Sequence, residues 1–152
     1  TALLIDVVVE VITAPTHRLK SLLQLPRPQD AEWGSDTMAS DVLDVPGYTA
    51  YPSGHACVSA AAAVVLAELI GDPPKGLKPP NKGDELLTLA ESIAANRERA
   101  GLHAQLDSTA GTALGQSMGG WLVQAATKDA SVFPEWSALY EAAAAEWGAA
   151  TT

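Results

Sequence analysis

The run of residues from Gly54 to Ile70 constrains the fold more than any other part of this 152-residue chain. It consists mostly of Ala, Val and Leu, with Glu68 near its end and Ser53 placed to cap its start. The run is shorter than the roughly 20 apolar residues that a membrane span requires. A helix that is apolar on all sides must instead be covered by other parts of a protein core. The run therefore predicts a buried core helix.

The rest of the chain has helical periodicity and no strand alternation. In residues 2–25, Asp6 and Glu10 share one helical face, which leaves the Leu, Ile and Val side chains to face a core. Three further helices are predicted at about residues 84–99, from residue 107 onwards, and at about residues 135–149. The predicted fold is therefore all-α, a bundle of about five helices in a single domain over residues 1–152.

Two patterns indicate how the last two predicted helices pack. Gly111, Gly115 and Gly119 recur at every fourth position, and glycines on one helical stripe allow a neighbouring helix to approach closely. In the last helix, Trp136 and Trp147 share an apolar side with several smaller residues. Both helices are therefore expected to pack against other helices.

The acidic composition narrows the class of partner. The chain has a formal net charge of −9 and nine Lys and Arg residues, whereas binding to nucleic acid or to an anionic membrane surface depends on clustered basic side chains. Neither is expected as the main partner.

The single cysteine, Cys57, excludes an internal disulfide and a cysteine-rich zinc site, and its apolar neighbours predict a small buried side chain. No leader or membrane span is visible, so a soluble protein is expected, and cytoplasmic, periplasmic and secreted locations stay open.

Most residues suited to chemistry lie in three short stretches. These are Lys20 with Arg27-Pro28, then Pro52-Ser53-Gly54-His55, then Arg97 with His103 and Asp107. They supply three cations, a hydroxyl, a glycine amide, two imidazoles and a carboxylate, which suits the binding of a phosphate-like anion. Each stretch alone has an ordinary explanation, as exposed charges, a capped proline turn or a structural pair. Because all three occur in one chain, we predict an active site at a helix N-terminus and in a cleft between helices.

Each of these residues has an expected role. His103 and Asp107 lie four residues apart, so on a helix Asp107 could accept the Nδ1 proton of His103 and leave Nε2 free as a nucleophile. His55 could act as general acid and base. The oxygens would be held by Lys20, Arg27, Ser53, the Gly54 amide and Arg97. The His103/Asp107 pair could alternatively be a metal site or a structural pair, but His17, His55 and His103 are scattered and three cations would repel a metal ion, so no metal is expected.

The three stretches resemble the signature of one superfamily, which comprises the type 2 phosphatidic acid phosphatases, the bacterial acid phosphatases and the vanadium-dependent haloperoxidases. That signature is Lys, six residues, Arg-Pro; then Pro-Ser-Gly-His; then Ser-Arg, five residues, His, three residues, Asp. The match runs from Lys20 to Asp107 and departs from the signature where Asn96 stands in place of Ser. The resemblance implies a helical bundle whose active site is made by the residues above.

The resemblance implies two chemistries. The first expectation is a phosphomonoester hydrolase with a phosphohistidine at His103 and no cofactor. In the haloperoxidases the same position binds vanadate, where activated peroxide oxidises halide, so vanadate is the cofactor under the alternative. Pro26, before Arg27, resembles the phosphatase pattern. Tyr48 and His17 are expected to line the pocket beside the anion.

Members of the superfamily usually carry more helices than the five counted here. The chain could therefore be the C-terminal part of a larger protein, or a second copy or another chain could cover its spare apolar faces. A further hypothesis is a non-catalytic helical subunit that binds phosphate or has a structural role. The complete set of site residues favours an enzyme that acts on a small phosphoester or another oxyanion.

Overall fold

The computed structural model describes residues 1–30, 45–71 and 82–147 of the chain. Within these ranges there are five α-helices, one short 3₁₀ helix at Pro28–Asp30 and no strand. The α-helices are α1 at Ala2–Leu23, α2 at Gly54–Ile70, α3 at Lys82–Arg99, α4 at Gln105–Thr127 and α5 at Pro134–Glu146. None of these helices combines the length and the apolar character needed to cross a membrane. The prediction of an all-α bundle of about five helices is confirmed.

α2 is the central helix of the bundle. Ser53 is its N-cap, and Ser53 Oγ accepts a hydrogen bond from the backbone N of Ala56 at 3.4 Å. α4, α3 and α1 all pack against α2, and the contact with α4 is the most extensive. Cys57 and Val65 are fully buried, and burial raises the pKa of the Cys57 thiol. The predictions of a buried core helix and a buried cysteine are both confirmed.

The glycine stripe of α4 lies directly on the backbone of α2. A β-carbon added at Gly115 would lie 2.1 Å from the O atom of Cys57, and one at Gly111 would lie 2.4 Å from the O atom of Ser53. The same holds at Gly119, where the nearest atom would be 2.8 Å away. All three distances are shorter than any normal carbon–oxygen contact, so only glycine fits. The predicted close approach of two helices is confirmed.

α1 presents a regular buried stripe to the bundle. Its buried residues recur at every fourth position and are Leu4, Val8, Ile12, Thr16 and Lys20. The first three belong to the main hydrophobic core, which α1 shares with α2, α4 and α5. Lys20 occupies the last position of the stripe. Its aliphatic stem is therefore buried, and its ammonium group lies at the end of the bundle.

α5 joins the bundle chiefly through α4. Trp136 Nε1 donates a hydrogen bond to the O atom of Leu122 at 2.7 Å, and the ring packs against the main core. Trp147 follows the last residue of the helix, Glu146, and is about half exposed. Its Nε1 atom donates to Thr1 Oγ1 at 3.0 Å. The apolar side expected of this helix therefore packs at Trp136 and not at Trp147.

The glycine stripe generates a stability prediction. Gly115→Ala is expected to lower the free energy of unfolding by about 3 kcal/mol, because the new methyl group meets a backbone carbonyl that no rotamer change can move. Gly120→Ala on the same helix is the matched control, since nothing lies within 4 Å of its added β-carbon. It should be neutral or stabilising by up to about 1 kcal/mol. Urea denaturation of both variants measures the difference, and equal effects would contradict the packing described.

Candidate active site

The three sequence stretches meet at one end of the bundle. The backbone N of Ser53, before α2, donates to the O atom of Asp107, in the first turn of α4, at 2.9 Å. Arg27 Nη1, beyond the end of α1, donates to the O atom of Leu102 at 2.8 Å, just before α4. A β-carbon added at Gly54 would lie 4.0 Å from Lys20 Cε. Residues distant in the sequence are thereby brought into one cluster.

Lys20 is buried and held by backbone oxygens. Lys20 Nζ donates to the O atoms of Thr49 and Ala50, at 2.9 Å and 2.6 Å. The pKa of Lys20 is lowered to about 8, chiefly by burial and then by the neighbouring charge of Arg27, whereas Asp107 acts in the opposite direction. The amine is therefore a cation near neutral pH that lies close to other cations.

Arg27 is the most deeply buried cation of the cluster and is 2% exposed. Besides its bond to Leu102, its Nε atom lies within hydrogen-bonding distance of the O atoms of Pro46 and Tyr48, at 3.2 Å and 3.0 Å. Its Nη2 atom is buried. Arg27 thus binds the 45–50 segment and the α3–α4 turn, and its Nη2 amino group has no partner among the described residues.

Arg97 lies in the last turn of α3 and is half-buried. Its Nε atom is buried without a partner in the described part of the chain. Burial lowers the pKa of Arg27 most, Tyr48 raises it, and the charge of Arg97 lowers it. Asn96, the departure from the family signature, is exposed, and its Oδ1 atom accepts from Arg99 Nη1 at 2.8 Å.

His103 and Asp107 meet, but not on one helix as the sequence predicted. His103 lies in the turn before α4, whose N-cap is Ala104, and Asp107 is in the first helical turn. Asp107 Oδ2 accepts a hydrogen bond from the backbone N of Ala104 at 2.8 Å and lies 3.4 Å from His103 Nδ1. That separation is longer than a normal hydrogen bond, and Nδ1 has no other partner among the described residues. A capping interaction therefore fixes the carboxylate beside the imidazole.

Both imidazoles of the cluster resist protonation. Burial lowers the pKa of His103, the contact with Asp107 raises it, and the charges of Arg27 and Lys20 lower it. His55 lies in the first turn of α2 and is partly exposed. Partial burial lowers its pKa most, followed by the charge of Arg97 and then by His103, Lys20 and Arg27. His55 is therefore electrostatically close to every cation of the cluster.

His17 and Tyr48 lie next to this cluster. Their ring centroids are 5.1 Å apart, and the Tyr48 ring centroid lies 5.5 Å from Lys20 Nζ and 5.4 Å from Arg27 Cζ. Both rings line a cleft of about 340 Å³ together with His55 and other residues of α1, α2 and α3. Tyr48 thus stands between the cations and the cleft.

A larger cleft of about 650 Å³ lies at the opposite end of α2 and is lined by residues such as Glu68, Lys128 and Tyr140. None of the predicted site residues lines it. We place the candidate site at the cation cluster, which the smaller cleft borders through His55 and Tyr48.

Sequence reasoning missed the acceptors that position the cations. The carbonyl oxygens of residues 46, 48, 49, 50 and 102 hold Lys20 and Arg27 in place. A backbone carbonyl is present at every residue and gives no signal in the sequence. The only hint was the length of the irregular stretch 29–52, since long loops in small domains often have a function.

The fold and the site together make this chain an α-helical protein with a cationic pocket at one end of a helical bundle. Comparison with protein-family models is more specific, because residues 1–130 match the PAP2 superfamily. The chain therefore belongs to the PAP2 superfamily, as the resemblance implied. Members of this superfamily are in general phosphatases or related hydrolases. No curated protein and no solved structure matches the chain significantly.

The different bonding of the two arginines generates a second prediction. Arg27→Met should lower the free energy of unfolding by about 3 kcal/mol, because several carbonyl oxygens lose a charged donor. Arg97→Met should change it by less than about 1 kcal/mol, because the buried Nε atom of Arg97 has no described partner to lose and a repulsive charge is removed. Thermal and urea unfolding measure both values. Equal destabilisation by the two variants would contradict the roles given to these side chains.

Proposed function

We propose that the chain is a phosphomonoester hydrolase that acts through a phosphohistidine at His103. The observation that carries the proposal is a pair of buried donors, Arg27 Nη2 and Arg97 Nε, which have no partners among the described residues and whose charges both lower the pKa of His55. Buried polar groups are normally hydrogen-bonded. A tetrahedral oxyanion would satisfy both guanidinium groups and reduce the repulsion between them.

The first chemical step transfers the phosphoryl group to the protein. His103 Nε2 attacks the phosphorus atom, a P–N bond forms and the bond to the leaving oxygen breaks. Protonated His55 gives its proton to that oxygen, so that the alcohol leaves neutral. Lys20, Arg27 and Arg97 stabilise the charge on the remaining oxygens, and the N-terminus of α2, with the Gly54 amide and Ser53, adds further donors.

The second step regenerates the enzyme. Neutral His55 removes a proton from a water molecule, the water oxygen attacks phosphorus and the P–N bond to His103 breaks. Inorganic phosphate is released, and His55 is protonated for the next cycle. Asp107 stabilises the positive charge that His103 gains in the phosphoenzyme and keeps its ring oriented. The carboxylate is available for this role because the Ala104 amide fixes its position.

The same donors fit vanadate, since the unpartnered guanidinium N–H groups select an oxyanion by its charge and not by its central atom. His103 would hold vanadate at the same position, with Lys20, Arg27 and Arg97 around its oxygens. Bound there, vanadate would supply the peroxide activation of a haloperoxidase. An activity assay is therefore needed to distinguish phosphatase from haloperoxidase activity.

The assay measures release of phosphate from p-nitrophenyl phosphate with and without vanadate, beside oxidation of bromide by peroxide. We expect turnover that vanadate inhibits, and His103→Ala should lower it by at least about a thousandfold. His103→Ala and Arg18→Ala form a matched pair, because Arg18 is exposed on α1 and is not part of the cluster. Turnover that requires vanadate and peroxide would establish the haloperoxidase instead. Activity that survives in His103→Ala would refute the nucleophile.

The pH dependence follows from the two imidazoles. The free enzyme needs His103 neutral and His55 protonated, and the pKa of each lies below its usual 6.5. Activity is lost at high pH as His55 loses its proton and at low pH as His103 gains one, so kcat/KM should be highest below pH 6.5. A pH–rate profile with p-nitrophenyl phosphate between about pH 4 and 8 tests this. A maximum on the alkaline side of neutrality would contradict the assignment of acid and base.

A further inference from the structure

The cleft beside His55 has a chemistry different from that of the cation cluster. It opens between α1, α2 and α3, and its volume of about 340 Å³ is at the small end of the range of ligand pockets, about 300–1,000 Å³. Val58 of α2 and Ile93 of α3 are two of the residues that line it. A group held there would be small and would lie next to the imidazole that we propose as the general acid.

Two hydroxyl groups of the cleft, those of Thr16 and Ser59, are engaged within the helices. Thr16 Oγ1 donates to the O atom of Ile12 at 2.7 Å, and Ser59 Oγ donates to the O atom of Ala56 at 3.3 Å. The Cγ2 methyl of Thr16 lies on the side of Gly54, 4.0 Å from where a β-carbon would be. Residues that look polar in the sequence therefore present much carbon surface to the cleft.

The described lining of the cleft also lacks permanently charged side chains that would pair with an ionic ligand. Among the described residues that line it there is no carboxylate, ammonium or guanidinium group, and the titratable side chains are His17, His55 and Tyr48. The rings of His17 and Tyr48 form one wall, and Tyr48 also borders Lys20 and Arg27. An aromatic wall beside aliphatic side chains favours a flat, uncharged group.

We infer that this cleft holds the leaving group and that the preferred substrates are monophosphates of small, uncharged aromatic alcohols. The inference rests on the proposed function, because the cation cluster must hold the phosphate for the organic part to enter the cleft. Tyr48, His17, Val58 and Ile93 are then the residues that determine specificity. An alcohol with a carboxylate would be disfavoured, because the described lining holds no lysine or arginine and the proton of His55 is committed to the leaving oxygen.

Binding of phosphonates, which the enzyme cannot hydrolyse, tests the inference without relying on catalysis. Calorimetry should give affinities for phenylphosphonate about ten to a hundred times higher than for methylphosphonate, because the ring leaves water. The affinity of 4-carboxyphenylphosphonate should return to about that of methylphosphonate. Equal affinities of the phenyl and methyl compounds would overturn the inference while leaving an oxyanion site in place. Failure of all phosphonates and of inorganic phosphate to bind would overturn both proposals.

Two tryptophan variants test whether the phenyl ring of phenylphosphonate binds in the cleft. Ile93→Trp should fill the cleft and remove most of the advantage of phenylphosphonate while the affinity for methylphosphonate stays within about twofold. Leu89→Trp lies one turn earlier on α3, is exposed and does not line the cleft, so it should alter neither affinity. An unchanged phenyl advantage in Ile93→Trp would overturn the assignment. If Ile93→Trp does not fold, His17→Ala replaces it, because His17 is exposed and its loss should lower only phenylphosphonate affinity, by about threefold.

Discussion

The close contact between α2 and α4 is the constraint on which the rest of the structure depends. Gly111, Gly115 and Gly119 leave no space for a side chain, so the two backbones touch at three successive positions. The first of these contacts is at Ser53, whose backbone N also bonds to Asp107. The starts of both helices are thereby held together at one end of the bundle. Helix N-termini favour negative charge, so this packing also creates the electrostatic setting of the site.

The cation cluster shows how charge is kept buried in a small domain. Isolated buried charges are strongly unfavourable, and here Lys20 and Arg27 donate to several backbone oxygens. Those bonds offset only part of the cost, as the pKa of Lys20 at about 8 indicates. Functional sites with buried charges lower the stability of a protein, and proteins retain them because function requires them. The surrounding apolar stripe of α1 and the core helix α2 supply the stability that the cluster lacks.

Much of this arrangement could be predicted from the sequence, because it depends on periodicity. The limits of α2, the glycine stripe and the residues of the three stretches follow from spacing alone. The position of His103 in a turn could not be predicted. A four-residue spacing to Asp107 is compatible with a helix and also with the turn and cap observed. The exposure of Trp147 was equally hidden, since an apolar side chain in a pattern does not show where the helix ends.

The 45–50 segment has no regular secondary structure, and its position is set largely by the bonds that Lys20 and Arg27 make to its backbone. The same segment carries Tyr48, which faces the cleft. Lys20 and Arg27 therefore determine both the charge of the site and the shape of the adjacent cleft. Under the proposed function, a substitution at either cation would alter anion binding and the aromatic wall of the cleft together, whereas one at Ile93 would alter the cleft alone. The effects of substitutions at Lys20 or Arg27 and in residues 45–50 are therefore expected to be coupled and not additive.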